Sequence, residues 1–509
     1  MRLLVLIDNG VPAHLLVRSI YAWSLIARSL GMEAVITDRR DGRPDLSGSW
    51  FRIRYAMEAA HTGQPYDLFI PRRPIAGPAR ITRTGGLHLL CGREEPEYLC
   101  HGKALGFDVV SAIFHLVSGQ EEYRSGSRDE LGRVDEKASF LHRHGVEGQP
   151  LVDLYIRVLR QKIAEKAGTE AFHGNWPKGK RFALVLSHDV DTVSAANATA
   201  VWNCVLRAAS EKTASGKVIM SAAALRRAAM SPLRLGLAYP RWLTRPDRGL
   251  EMVCRIEERY GVRSTFFVFA PHVKPFHPLD CPYSYREKVI FAKKRVRLDR
   301  VLDEIGGNGW EIGLHGGVRS HADAVALGEQ KQAVENALGR RVMSLRQHYL
   351  CFETDRTWIA QEGAGLSYDS THGYNRLRGF RGSCCLPFRP FSLSLNRELD
   401  MWEVPLNVQD CAIDKKAGEE GDDHAEVMKL LSAAAETGGV ATLSWHPDRF
   451  SDPGFRPLAE MYERILRWAQ EKDALIGSVG QVMEAWENRS LRPDLDLDLD
   501  GDHLSEVSA

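Results

Sequence analysis

The sequence predicts an α/β protein in which a smaller N-terminal α/β domain precedes a second domain built on a parallel sheet or barrel. Short apolar segments alternate repeatedly with amphipathic helical segments, and this alternation is typical of parallel α/β architecture. The chain has 509 residues, of which 44% are hydrophobic and 26% charged. A chain of this length and composition accommodates two or three domains and buries a large core, which excludes global disorder.

The N-terminal domain is expected to cover residues 1–175. It begins with the apolar segment LLVLID, continues with an amphipathic helix, and then has the strand pattern MEAVITD, which together suggest a βαβ unit. No glycine fingerprint that would cradle a phosphate opens the helix, so nucleotide binding is not expected. We expect a docking or scaffold domain without chemistry of its own. Residues 120–150 are polar and charged and are expected to form an exposed loop or linker.

The second domain is expected to cover residues 176–488. Its buried-strand patterns are RFALVLS, STFFVFA, WEIGLH, MSLRQHYL and GVATLSWHP, with helical patterns between them. Polar residues stand at the carboxyl end of several of these strands, which is the edge that carries the chemistry in α/β barrels. The sequence therefore places the candidate site at that edge.

Two segments of the chain are compositionally distinct. A helical insertion at about residues 200–250 carries nine basic residues against two acidic ones. It is either a solvated pair of helices or a rim that attracts an acidic or phosphate-bearing glycan, with Trp242 available for stacking. Residues 489–509 alternate Asp with Leu and are expected to form a disordered acidic tail. They imitate the start of a calcium loop, but the twelfth position, which needs a carboxylate, is Val507.

Charge and cysteine content narrow the class of function. Lys plus Arg number 67 and Asp plus Glu 66, so the whole molecule offers no electrostatic reason to bind nucleic acid. No segment has the roughly 18 apolar residues of a membrane span, and Asp8 interrupts the N-terminal apolar run, so no signal peptide is expected. The nine cysteines include no CxxC pair, which favours a reduced, cytoplasmic protein.

Asp189 and Asp191 follow the strand pattern RFALVL directly. Residues two apart in a strand face the same side, so the two carboxylates can converge at the strand end. They would repel each other unless a cation intervenes. A divalent ion bound by one carboxylate leaves the other free to take a proton from water. The alternative is that the pair forms a turn or a helix cap.

Histidines follow three further strand patterns. His315 ends WEIGLH, and His321 lies six residues later in a glycine-containing loop. A spacing of six residues does not place two histidines on one face of a helix or at ideal positions of a strand. Two histidines in a loop could still reach one ion. His348 follows Arg346 in MSLRQHYL. His446 is the next-to-last residue of GVATLSWHP, in which the final proline prevents the strand from continuing. This histidine could act as a general acid toward a leaving amine or alkoxide.

The segments HDVD, LRQHYLCF, YDSTHGY, GFRGSCC and EVPL resemble the polysaccharide deacetylases, also known as NodB-homology proteins or family 4 carbohydrate esterases. The set is most similar to a divergent bacterial branch with an extra N-terminal α/β domain. The resemblance covers about 60% of the chain, residues 181–485. It implies a distorted (β/α) barrel and a divalent metal ion, with zinc expected and cobalt, nickel, manganese or iron as alternatives.

The resemblance also implies a role for individual residues. In the family, a base aspartate is oriented by an arginine, and an acid histidine is tuned by a second aspartate. The matching candidate catalytic residues are Asp189, Arg346, His446 and Asp369. The family has a second metal histidine four residues after the first, where this chain has Arg319. Either His321 or His348 takes the place of that histidine, or the metal has fewer protein ligands. The candidate metal ligands are Asp191, His315 and His321, with His348 as the alternative to His321. The candidate substrate-binding residues are Tyr349, Arg381, Trp445 and Trp242.

The function implied is metal-dependent removal of an acetyl group from a carbohydrate or a sugar-containing precursor. An N-acetyl group is expected in preference to an O-acetyl group. The absence of an export signal favours an intracellular precursor over a finished wall polymer. The expected partner is the carbohydrate substrate, with no nucleic acid. Two alternatives remain open: a hydrolase of small non-peptide C–N amides, and a non-catalytic glycan-binding homologue.

Overall fold

The computed structural model describes most of the chain in segments. Two large, mainly parallel sheets organise it, one of seven strands and one of nine, with helices packed around them. The predicted α/β class is therefore confirmed. The described residues are 1–8, 11–38, 49–58, 65–75, 77–168, 172, 174–193, 211–212, 218–219, 248–275, 277–413, 423–451, 455–488 and 495–498.

The first sheet belongs to the N-terminal block and begins with the predicted βαβ unit. Its strands are β1 (Arg2–Ile7), β2 (Ala34–Thr37), β3 (Trp50–Ala56), β4 (Leu68–Pro71), β7 (Cys100–His101) and β8 (Ala104–Leu105), and β5 (Arg80–Thr84) and β6 (Leu87–Cys91) form a separate hairpin. The helices of the block are α1 (Ala13–Leu30), α2 (Val109–Val117), α3 (Gln120–Arg124), α4 (Phe140–Arg143) and α5 (Leu151–Ala167).

Helix α1 shows how the pattern of the sequence produces this packing. Leu16, Ile20, Trp23 and Ala27 recur every three or four residues and are buried, as an amphipathic helix requires. Gly31 follows with a φ of 65°, a left-handed conformation that glycine adopts without the steric cost of a Cβ, and it ends the helix. The chain then returns as β2, which pairs parallel to β1.

The strand at the outer edge of this sheet comes from the far end of the chain. Leu495–Asp498 pairs parallel to Ala34–Thr37. The expectation of a disordered tail is thus wrong for these four residues. Their Leu–Asp alternation has the period of two that a β-strand requires, and the free edge of β2 provides a partner for it.

The second sheet contains the strand patterns that the sequence predicted. Its members are β9 (Phe182–Val190), β12 (Thr265–Phe269), β15 (Glu311–Gly316), β16 (Ser344–Gln347), β17 (Tyr368–Asp369), β20 (Trp402–Glu403), β21 (Val408–Gln409), β22 (Val440–Ser444) and β23 (Ala474–Gly477). The pairs β10 (Glu211–Lys212) with β11 (Val218–Ile219), β13 (Lys288–Phe291) with β14 (Lys294–Arg297), and β18 (Phe391–Ser392) with β19 (Arg397–Glu398) form separate hairpins, and the strand Leu495–Asp498 is β24.

Helices surround the second sheet, and their chain order alternates with its strands. They are α6 (Gly249–Tyr260), α7 (Leu298–Gly307), α8 (Ala324–Leu338), α9 (Arg356–Gly363), α10 (Asp423–Thr437), α11 (Asp448–Ser451), α12 (Arg456–Glu471) and α13 (Val479–Glu487). Within the described residues, short 3₁₀ segments lie at Glu136–Ala138, His348–Leu350 and Asp410–Ala412. No helix in the described ranges has both the length and the apolar character needed to cross a membrane.

The order of the strands in the second sheet determines where the site lies. The sheet runs β20-β17-β16-β15-β12-β9-β22-β21, with β23 also paired to β9, and the recorded strand pairings are parallel. Every residue of β9 is buried. Because parallel neighbours end at the same edge, the residues that follow β9, β15, β16 and β22 gather there.

The two sheets share a hydrophobic core. One cluster of buried side chains includes Trp23 and Tyr155 of the N-terminal block together with Trp358 and Trp486 of the second. The hydroxyl of Tyr21 also donates to the carbonyl of Arg389 at 2.7 Å. The blocks predicted as separate domains are therefore joined by extensive packing, and the boundary at residue 175 stays a prediction.

The segment 120–150 differs from the exposed linker that its polar composition suggested. It forms α3, a 3₁₀ turn and α4, and it buries Phe140 and Leu141. The carboxylate of Glu136 accepts hydrogen bonds from the backbone N–H groups of Arg376 at 2.9 Å and Leu377 at 3.1 Å. Its charged residues have partners in the second block, which composition alone does not reveal.

Candidate metal and catalytic site

Four side chains at the carboxyl edge of the second sheet offer ligand atoms to one point. One ligand atom from each residue lies within 4.8 Å of the others, and the residues are Asp191, Cys281, His315 and His348. Asp191 Oδ1 is 3.2 Å from His315 Nε2 and 3.6 Å from His348 Nε2. Zinc bonds of about 2.0–2.3 Å to carboxylate, imidazole and thiolate ligands can span such separations.

The orientation of His315 fits a metal ligand. Its Nδ1 lies 3.0 Å from the backbone carbonyl of Arg346, a contact that places the proton on Nδ1 and leaves a lone pair on Nε2. Nε2 is buried and has no hydrogen-bond partner among the described residues. A buried nitrogen without a donor is costly unless a cation occupies the position that it faces. The residues therefore fit a divalent ion.

The structure does not bring His321 to this group. Its Nδ1 lies 2.9 Å from the carbonyl of Val318, within a turn where the Ser320 N–H donates to the Gly317 carbonyl. The turn folds the loop back after β15, so the six-residue spacing leads away from Asp191. His348, the alternative, follows β16 directly, and β16 is the parallel neighbour of β15. The structure therefore contradicts the expectation of His321 as a ligand, and it places the alternative, His348, in the group.

Asp189 and Arg346 form a buried ion pair at the same edge. Arg346 Nη1 donates to Asp189 Oδ1 at 3.0 Å, and neither side chain is more than 6% exposed. Further hydrogen bonds from the guanidinium go to the Ser187 hydroxyl at 2.6 Å and to the Ser370 carbonyl at 2.8 Å. These bonds lock the arginine in place, and the arginine in turn orients the carboxylate.

His446 is paired with Asp410, a residue that the sequence analysis did not identify. Asp410 Oδ1 is 2.7 Å from His446 Nδ1, and Asp410 Oδ2 accepts from the His446 backbone N–H at 2.8 Å. Burial opposes protonation of the imidazole, but the Asp410 carboxylate outweighs burial and raises the pKa of His446 well above its ordinary value. His446 Nε2 lies 3.6 Å from Asp191 Oδ2, so this pair borders the metal-ligand group.

The structure places Asp369 elsewhere. This residue, expected to tune His446, is buried in β17 and accepts from the Thr371 backbone N–H at 3.1 Å. Its neighbour across the sheet is Glu403. Burial, followed by repulsion from Asp369, raises the pKa of Glu403 well above its usual range. The role expected of Asp369 is thus corrected, because the partner of His446 is Asp410.

Asp410 could have been found by the rule that found the other residues. It follows directly after β21, which pairs parallel to β22, the strand that leads to His446. However, β21 contains only Val408 and Gln409, and two residues are too few to produce a recognisable strand pattern in the sequence.

Two of the four candidate substrate-binding residues are buried and bonded to protein groups. Trp445 is 0% exposed and its indole N–H donates to the Leu458 carbonyl at 3.2 Å. Arg381 is 9% exposed and forms a bidentate ion pair with Glu122 of α3. Both expectations are corrected, because these side chains support the fold.

Of the other two candidate substrate-binding residues, Tyr349 lies at the site and Trp242 lies outside the described residues. Tyr349 is half-buried beside the metal-ligand group, with its ring centroid 4.4 Å from that of His348. The guanidinium of Arg133, from the N-terminal block, donates to the Tyr349 carbonyl. Trp242 and most of the basic insertion lie outside the described residues.

One family model and several solved structures are similar to parts of this chain. Residues 14–168 match DUF7033, a family of unknown function. No curated protein is significantly similar to the chain. A candidate polysaccharide deacetylase from Mycobacterium smegmatis is 18% identical, covers 62% of this chain and 94% of its own, and has a TM-score of 0.38.

Two further solved structures are similar to this chain. A probable polysaccharide deacetylase from Pseudomonas aeruginosa is 15% identical, with 64% and 97% of the two chains covered and a TM-score of 0.39. A CE4 family pseudoenzyme from Bacillus anthracis is 12% identical, with 62% and 69% covered and a TM-score of 0.28. The chain thus resembles polysaccharide deacetylases over about 60% of its length, as its motifs indicated.

Proposed function

We propose that this chain is a metal-dependent hydrolase that removes an acetyl group, N-acetyl before O-acetyl, from a carbohydrate or a sugar-containing precursor. One observation carries the proposal. A group of metal-ligand atoms around Asp191 lies at the sheet edge that also holds a carboxylate paired with Arg346 and an imidazole paired with Asp410. Hydrolysis of an amide needs this combination of a cation, a base and an acid.

Asp191, His315 and His348 would hold the ion. A divalent cation bound there would lower the pKa of a water molecule and polarise the acyl carbonyl oxygen. The Nδ1 contact of His315 with the Arg346 carbonyl keeps Nε2 directed at the ion. Zinc suits this set of ligands, with cobalt, nickel, manganese and iron as alternatives.

Asp189 is proposed as the general base. Its carboxylate, which forms an ion pair with Arg346, can accept the proton of the attacking water. The same ion pair fixes the direction of the carboxylate, because the guanidinium has further bonds to Ser187 and Ser370. Arg346 is thus a positioning residue that acts through Asp189.

His446 is proposed as the general acid. An amine leaves readily only when its nitrogen is protonated, so an N-acetyl substrate requires a proton donor. Asp410 holds the Nδ1 side of the imidazole and favours its protonated form, which leaves Nε2–H available as the donor. Acid or base assistance of this kind contributes about 10²–10⁴-fold to turnover.

The test is turnover on a panel of N-acetylated sugars, O-acetylated sugars and small amides with zinc-loaded protein. We expect release of acetate from an N-acetylated sugar. The variants Asp189→Asn and His446→Ala should lower kcat by about 10²–10⁴-fold while retaining the metal and the fold. His321→Ala is the matched control and should keep near-wild-type turnover, since His321 lies outside the group.

Two results would contradict the proposal. Near-wild-type turnover in Asp189→Asn or His446→Ala would refute the assigned roles. Turnover of small amides without any activity on acetylated sugars would show that the substrates are small amides and not acetylated carbohydrates. Metal content by mass spectrometry and circular dichroism of each variant separate loss of chemistry from loss of metal or fold.

A further inference from the structure

Cys281 has no role in the chemistry proposed above, yet its thiol lies among the metal-ligand atoms. Cys281 Sγ is 4.0 Å from Asp191 Oδ1 and 3.9 Å from His348 Nδ1, and the residue is 6% exposed. In a tetrahedral zinc site with bonds of about 2.0–2.3 Å, ligand atoms are roughly 3.3–3.6 Å apart. The distance of 4.0 Å from Cys281 Sγ to Asp191 Oδ1 exceeds that spacing by about half an ångström, so a small movement of the side chain would bring the sulfur to a bonding position.

The segment that carries Cys281 is fixed from both sides. On one side, Tyr283 and Tyr285 bind the end of β12: the Phe269 N–H donates to the Tyr283 hydroxyl at 2.6 Å, and the Tyr285 hydroxyl donates to the Phe269 carbonyl at 2.7 Å. On the other side, Asp280 Oδ1 accepts from the Val318 N–H at 2.9 Å, in the loop after β15. The thiol is thus held beside the group before any ion binds.

The surroundings of Cys281 are unlike those of a cysteine that only fills space. Its sulfur contacts a carboxylate and an imidazole. The carboxylate of Asp191 already faces three imidazole nitrogens, at 3.2, 3.6 and 3.6 Å. Nitrogen, oxygen and sulfur donors converging on one point are the ligand combination of zinc sites.

We propose that Cys281 binds the metal as a thiolate, together with Asp191, His315 and His348; this inference rests on the metal centre of the proposed function. The thiol releases its proton to solvent when the ion binds. A thiolate is a soft ligand, so the site favours zinc, or cobalt in its place, over magnesium and manganese. Four protein ligands leave a fifth position for water, which zinc accommodates by expanding its coordination.

The experiment uses Co²⁺ as the probe, because a thiolate bound to Co²⁺ gives a ligand-to-metal charge-transfer band in the near ultraviolet that nitrogen and oxygen ligands do not give. Metal-free full-length protein is titrated with Co²⁺ and followed by absorption. We expect one Co²⁺ per chain with the band in the wild type, and binding without the band in Cys281→Ser. Cys411→Ser is the matched control and should keep the band, although Cys411 Sγ lies 3.8 Å from His446 Nδ1.

A second readout is metal selectivity. Loss of an outer-shell partner alone costs about 10–100-fold in affinity, so loss of a ligand should weaken Zn²⁺ binding in Cys281→Ser by about 10²-fold. Mn²⁺ affinity should change by much less. Co²⁺ binding without a charge-transfer band in the wild type, or a band that persists in Cys281→Ser, would overturn the role of Cys281 and leave the metal centre standing. Absence of Co²⁺ binding in the wild type would overturn both proposals.

Discussion

At the scale of the residue, the partner of each carboxylate decides its role. Asp189 is paired with Arg346, Asp191 faces histidines, Asp410 holds His446, and Asp369 lies opposite Glu403. These aspartates are chemically identical, and all except Asp191 are buried. An arginine orients one, an imidazole makes another part of an acid, and burial beside a second carboxyl raises the pKa of the last.

The pairing of Asp410 with His446 yields the first prediction. Asp410→Asn removes the negative charge at Nδ1 and disfavours the protonated imidazole, so kcat should fall by about 10²-fold with KM little changed. Asp369→Asn should leave kcat near the wild-type value. Steady-state kinetics on the substrate found above measures both. The opposite order, with Asp369→Asn the slower variant, would restore the partner that the sequence suggested and refute the observed pair.

The sequence could predict the residues that follow long strands but not those whose position depends on a loop. Asp189, His315 and His446 follow or end clear apolar patterns. His321 and His348 could not be distinguished, because the turn that carries His321 away is a tertiary feature. The sequence suggests Trp445 and Arg381 as substrate-binding residues, and only packing and the Glu122 partner show that they are buried.

At the scale of the element, the amino end of α5 shows how the two blocks are joined. The Val152 N–H donates to the Ser383 carbonyl at 3.0 Å, and the Cys385 N–H donates to Asp153 Oδ2 at 2.9 Å. Asp153 is 3% exposed. Burial raises the pKa of Asp153 from the ordinary 3.8 to about 6, although the Cys385 N–H opposes that rise.

This raised pKa gives a prediction with a definite sign. A carboxyl whose pKa is higher in the folded state stabilises the fold below the unfolded pKa, and that contribution is lost as the pH rises through the folded pKa. Asp153→Asn removes the titration. Relative to wild type, the free energy of unfolding of the variant should therefore rise by roughly 2–3 kcal/mol between pH 4 and pH 7.

The measurement is denaturant unfolding of both proteins at several pH values. Comparing the two proteins cancels other titrating groups, and comparing pH values cancels any constant cost of the asparagine. A difference between the two proteins that is flat with pH, or that falls, would show that the pKa of Asp153 is not raised in the folded protein.

The long strands and helices were predictable because their hydrophobic periods are long enough to recognise. The strands β9, β12, β15, β16 and β22 correspond to the apolar patterns of the sequence. The two-residue strands β17, β20 and β21 have no period of their own and are defined by their neighbours in the sheet. The strand Leu495–Asp498 has a recognisable alternating pattern, but its acidic composition predicts disorder.

At the scale of the whole molecule, the N-terminal block contacts the loops that hold the site. Arg133 binds the Tyr349 carbonyl next to His348, and Glu122 binds both Arg381 and Thr354. The sequence could not show this, since the contacts join residues more than 200 positions apart. The block is thus placed to fix the loop after β16, whatever further role it has.

The Glu122–Arg381 pair allows a test of this coupling. Both side chains are buried, and the two Arg381–Glu122 bonds are 2.8 Å long. Burial opposes both charges, but Arg381 outweighs it and lowers the pKa of Glu122, while Glu122 raises that of Arg381. Removing one partner leaves a buried charge uncompensated, so Glu122→Ala should cost about 3–5 kcal/mol of stability.

Denaturant unfolding of Glu122→Ala, Arg381→Leu and the double variant measures the pair. The double variant should be less destabilised than the sum of the two single variants, because no charge remains unpaired. Glu165→Ala, at an exposed ion pair with Lys162, is the control and should cost less than about 1 kcal/mol. Strict additivity of the two single variants would show that the pair does not couple the blocks.

The proposed hydrolysis depends most on a single divalent ion bound by side chains that follow β9, β15 and β16. Its most direct test is the zinc content of dialysed protein, measured for the wild type, Asp191→Ala, His348→Ala and His321→Ala. We predict about one ion per chain in the wild type and in His321→Ala, and a large loss in Asp191→Ala and His348→Ala. A wild-type protein that retains no metal, or a His348→Ala variant that keeps its ion while His321→Ala loses it, would contradict the assignment.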